Sequence, residues 1–106
     1  MPAAAVLDDL LAELPVPDDG TLSKTLYQSG RLRLVGFAFA AGQELTEHSS
    51  ALAVTVQVVS GRLALTLGEA EQTTLDPHGW VHMPPRLPHS VRALEPTVML
   101  LTMYQA

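Results

Sequence analysis

Cysteine is absent from the sequence, which removes disulfides, thiolate metal ligands and thiol nucleophiles together. Positive charge is scarce: six Lys and Arg stand against eleven Asp and Glu, for a net charge of −5, and the six do not cluster. A phosphate backbone is held by concentrated positive charge, so nucleic acid is not an expected partner. No apolar run approaches the roughly 20 residues that a membrane-spanning helix needs, so a membrane is not expected either. The first fourteen residues carry Asp8, Asp9 and Glu13 and no basic start, unlike a secretory signal. The expected location is therefore the cytoplasm. Aromatics number five, too few for an aromatic cage around a cation. There is no nucleophile elbow, and no acid is spaced to complete a hydrolytic triad with Ser49 or Ser50.

What remains is apolar. Hydrophobic residues make up 47% of the 106 residues and charged ones 16%, enough for one domain with a real core. With so few charges to cover its outside, the chain is expected to pair with a second copy as a homodimer. Residues 2–14 read as a short α-helix, with Val6, Leu7, Leu10, Leu11 and Leu14 on one stripe and Pro15 as its stop. Residues 15–20 (PVPDDG) read as a linker. The division is thus 1–20 for helix and linker and 21–106 for a barrel.

From Thr21 the period changes to two. Val54, Val56 and Val58 alternate with Thr55, Gln57 and Val59, and Leu63, Leu65 and Leu67 alternate with Arg62, Ala64 and Thr66. That alternation is what a sheet with one face in a core requires. Nine strands are expected: 22–27, 31–40, 43–48, 53–60, 62–67, 71–75, 80–83, 89–93 and 98–104. Glycine and proline turns separate them, as in an antiparallel all-β barrel. Phe37, Phe39, Met83, Met99 and Met103 are expected as interior filling, and Trp80 as part of a core or pocket wall.

The four histidines carry most of the chemistry. His48 precedes the strongest strand, His78 and His82 flank the strand 80–83, and His89 follows a proline-rich turn. A neutral imidazole nitrogen binds Fe, Mn, Ni, Cu or Zn near neutral pH. A barrel brings distant strands together, so His48 and His89 are expected in one interior pocket with Ser50 and His82. They are the metal-ligand candidates, with His82, Gln57 or Glu47 as the third ligand. Gln57 has the opposite strand parity to Val54, which sets it on the other face unless a bulge intervenes.

Two stretches resemble the cupin motifs. Gly42-Gln-Glu-Leu-Thr-Glu-His48, continued from Val54 to Gly61, is similar to the first. Gly79-Trp-Val-His-Met-Pro-Pro-Arg-Leu-Pro-His89 is similar to the second. The resemblance implies an all-β cupin double-stranded β-helix, or jelly-roll barrel, of the RmlC-like kind over residues 30–104. The family's four metal ligands are matched at His48 and His89 alone. Ser50 stands at the second histidine and Val54 at the glutamate. Trp80 replaces the second motif's aspartate, Arg86-Leu87 its turn glycine, and Ala93 its asparagine. The resemblance therefore implies a small-molecule-binding cupin with an incomplete or lost metal site, its ligand held near His48 and His89. Two other functions stay open: a metal-dependent dioxygenase or isomerase holding Fe, Mn, Ni or Zn, and a dimeric structural module without a ligand.

Overall fold

The computed structural model describes residues 3–104. Nine strands form: β1 (Thr21–Ser29), β2 (Leu32–Phe39), β3 (Glu44–His48), β4 (Val54–Ser60), β5 (Leu63–Leu67), β6 (Thr73–Leu75), β7 (Trp80–Met83), β8 (His89–Ala93) and β9 (Thr97–Tyr104). They pair antiparallel in two sheets, one in the order β1-β2-β9-β4-β7 and the other in the order β3-β8-β5-β6. Strands adjacent in space are mostly distant in sequence, the mark of a jelly roll rather than a meander.

The period of two sorts the side chains between the sheets. Val54, Val56 and Val58 of β4 meet Leu63 and Leu65 of β5, Val91 and Ala93 of β8, and Phe39, Met83 and Met99 in one buried cluster. Phe37 and Phe39 of β2 stack with ring centroids 5.9 Å apart. The alternate residues of the five-stranded sheet point outward. Ala38, Val98 and Leu100 build a second, smaller cluster there, closed by Leu14.

The N-terminal helix is a single turn, α1 (Leu10–Glu13), capped by the Asp9 carboxylate, which accepts from the Ala12 N–H at 3.2 Å. The expected helix over 2–14 is thus shortened; Pro2 lies outside the described residues, and residues 3–9 are not helical. A helix this short is marginal in water, and packing decides its fate. Ala5 and Leu7 line a groove on the outer face of the five-stranded sheet while Val6 between them is 79% exposed. The segment runs over the sheet without regular secondary structure. Leu14, 1% exposed, ends the segment by pressing its side chain over Gly36, where a Cβ would collide with it. The glycine in β2 is a socket for that leucine.

Trp80 departs from expectation. It is 59% exposed on the outer face of β7, because Val81 and Met83 take the inward positions. Among the described residues no helix is long and apolar enough to cross a membrane.

Candidate functional site

An open cavity of about 320 Å³ lies between the two sheets. Its apolar wall is Val35, Phe37, Val54, Leu101 and Met103. Its polar groups are Ser23, Arg33, Ser50, His48 and His89. No Asp or Glu lines it, although the chain is acidic overall.

A bulge in β3 brings the histidines together. Glu44 pairs with Arg92 and Leu45 with Val91; the register then slips by one residue, so that His48 stands opposite His89. Without the slip Glu47 would occupy that position. One extra residue flips the parity of everything after it. The rings meet edge to face with centroids 4.2 Å apart.

Each ring is fixed by its own chain. The Nδ1 of His48 lies 2.7 Å from the Thr46 carbonyl oxygen, and that of His89 lies 2.9 Å from the Leu87 carbonyl oxygen. A carbonyl can only accept, so each Nδ1 carries a proton and donates it. In the neutral imidazole the other nitrogen, Nε2, is then a lone-pair acceptor. His89 is 3% exposed, yet no buried side-chain nitrogen or oxygen among the described residues lacks a partner. Its Nε2 therefore opens onto the cavity.

The turn before His89 is sewn to the loop after His48. The Arg86 N–H donates to the Ser50 carbonyl at 2.7 Å, and the Ser50 hydroxyl accepts from the Leu52 N–H at 3.1 Å. Arg86 holds φ at +67°, the left-handed region that glycine occupies most easily. The backbone keeps the conformation of a glycine turn with an arginine in it.

The other expected ligands stand elsewhere. His82 is exposed on the outer face of β7, on the opposite side from Val81 and Met83, and does not share the pocket. Gln57 is exposed between the buried Val56 and Val58 and faces outward in the same way. Glu47 is exposed and displaced by the bulge. None of the three can join His48 and His89.

The cupin resemblance implies a divalent metal, and the protein supplies fewer donors than such a site commonly uses. Catalytic metal sites commonly use three protein ligands. Here there are two imidazoles, and Val54, at the position that the resemblance gives to the family's glutamate, is buried in the cavity wall. Among the described residues no three His, Cys, Asp or Glu side chains converge.

Arg33 and Ser23 belong to the pocket without having been expected there. The signal for Arg33 lay in its parity with Val35, Phe37 and Phe39 on β2. A larger groove of about 560 Å³ lies under the N-terminal segment on the outer face of the five-stranded sheet. It is lined mainly by leucines and carries no histidine, acid or arginine, so it offers burial rather than chemistry.

No protein-family model matches the sequence, and no curated protein matches it. Solved structures do. A conserved protein of unknown function from Streptococcus pyogenes is 32% identical, with a TM-score of 0.85 over 100% of this chain and 91% of that one. A cupin superfamily protein from Desulfitobacterium hafniense is 21% identical, with a TM-score of 0.86 over 100% of this chain and 95% of its own. KdgF from Halomonas sp. is 27% identical, with a TM-score of 0.72 over 82% of each chain.

Proposed function

This chain has the RmlC-like cupin fold, and on that premise we propose that it binds a small molecule between its two sheets without a resident metal. One observation carries the reading: paired imidazoles, each with its Nδ1 proton donated to the backbone, flank a cavity whose remaining wall is largely apolar. An apolar cavity with a few convergent polar groups is the usual form of a ligand site. At about 320 Å³ it lies near the small end of the range of roughly 300–1,000 Å³ for such sites, so the ligand is metabolite-sized. The protein acts as a binder or sensor in the cytoplasm.

The test is thermal denaturation against a panel of small acids, alcohols and sugars. A ligand that binds only the folded state raises the melting temperature. At least one compound should do so, and His48→Ala and His89→Ala should each abolish its effect. Stabilisation that survives both substitutions would remove the reading.

The orientation of the rings also favours a second reading, a metal-dependent enzyme, because metal-bound histidines usually donate the other ring N–H to a carbonyl or carboxylate. Elemental analysis of untagged protein separates the two. Near-stoichiometric Fe, Mn, Ni or Zn, lost in His48→Ala, would favour the enzyme; a trace amount favours the metal-free binder.

We also propose that two copies pair through the outer face of the five-stranded sheet. The exposed Trp80 and Tyr104, the apolar groove beneath the N-terminal segment and the low charge content support this. An exposed apolar face of this kind commonly marks an interface.

A further inference from the structure

The polar groups of the pocket are not interchangeable, and their chemistry restricts what can lie there. Arg33 reaches the cavity from the inward face of β2. Its guanidinium donates to the Thr25 hydroxyl at 3.2 Å and has no carboxylate partner among the described residues, where Lys24 pairs with Glu13 and Arg62 with Asp76. Thr25 lies at the bulge of β1, where the register with β2 shifts. The hydroxyl takes one end of the fork, and no other partner of the guanidinium is found among the described residues. An arginine fork matches a carboxylate in shape and charge. A single guanidinium with no further cation or backbone nest does not suit a dianionic phosphate.

The imidazoles ask for the opposite. With their Nδ1 protons committed to Thr46 and Leu87, the rings in their neutral form present Nε2 lone pairs that accept a hydrogen bond. A ligand carboxylate there would set lone pair against lone pair. A hydroxyl would donate.

From the free donors of Arg33 and the acceptor state of His48 and His89 we infer that the pocket takes a small hydroxycarboxylic acid. Its carboxylate pairs with Arg33, its hydroxyl donates to an imidazole, and its carbon body lies on Phe37, Val54 and Leu101. The inference rests on the reading of the pocket as a ligand site and adds the ligand's class.

Matched compounds test it on the full-length protein by isothermal titration. Lactate and mandelate carry both groups; lactamide and mandelamide lack the charge; propionate and phenylacetate lack the hydroxyl. The hydroxy acids should bind more tightly than either analogue. Arg33→Gln should weaken them by roughly 10- to 100-fold, the worth of a charge-assisted hydrogen bond, and erase the preference for acid over amide. Arg33→Lys, which keeps the charge but loses the fork, should fall between and serves if the glutamine variant does not fold. His48→Ala with His89→Ala should erase the preference for a hydroxyl.

Amides binding as well as acids, or acids indifferent to Arg33→Gln, would overturn the ligand class and leave the pocket standing. Binding by none of the six compounds would overturn it too, with the broader panel still able to support the pocket. A preference for the hydroxy acids over propionate and phenylacetate that persists in the double histidine variant would remove both.

Discussion

Gly61 joins β4 to β5 at φ +85°, and a Cβ there would run into the Pro96 carbonyl and lie 2.7 Å from the Thr97 Cα. These are backbone atoms of the start of β9, and they cannot step aside as a side chain can. Thr97 is itself fully buried. Its hydroxyl accepts from the Arg62 N–H at 3.1 Å and lies within donating distance of the Glu95 carbonyl at 2.7 Å and the Arg62 carbonyl at 3.1 Å. Gly61→Ala combines a left-handed alanine with an overpacked contact, and should cost about 2–4 kcal/mol. Urea denaturation monitored by circular dichroism checks it; an unchanged midpoint would mean that the two turns have room to part. The histidines belong to the same scale. Their shared position follows from one inserted residue in β3, and no composition or propensity announces a bulge.

At the scale of the element, the strands were readable and the N-terminus was not. Alternation in Val54–Val58 and Leu63–Leu67, punctuated by Gly61 and Gly68, locates β4 and β5; β4 buries one face, and in β5 the small Ala64 is buried as well. The same rule locates Arg33 in the pocket and turns His82 and Gln57 away from it. Residues 3–9 mislead because Ala and Leu satisfy the helical period, while the surface offered to them is a sheet. The dependence runs through Leu14, whose side chain fills the hollow over Gly36. Leu14→Ala should destabilise the fold by about 2–3 kcal/mol, toward the lower end of such truncations because the site is near the surface. Chemical denaturation measures this directly, and a loss below about 0.5 kcal/mol, the level of an ordinary surface substitution, would show that the segment is ornamental to the barrel.

For the molecule as a whole, the two faces of the five-stranded sheet divide the labour. The inward face of β2, β4 and β9 forms the core and the pocket wall; the outward face carries the N-terminal segment, the apolar groove and the exposed rings of Trp80 and Tyr104. Light scattering on the purified chain should give twice the mass of one copy. Trp80→Arg, which sets a charge in the proposed interface, should return it to a monomer with its melting temperature otherwise governed by the intact core. A monomeric wild type at micromolar concentration would sink the pairing. The barrel as a class follows from spacing and turns alone. The donor set of its pocket does not, since it depends on which side of one slipped strand each side chain falls.

The position of the single indole has a practical consequence for anyone assaying this chain. Its emission reports on the outside of the barrel, from a strand that does not line the cavity. Filling the pocket will leave that fluorescence nearly untouched, and whatever settles against the sheet's outer surface will change it. A quiet tryptophan signal during titration is therefore no evidence of an empty site.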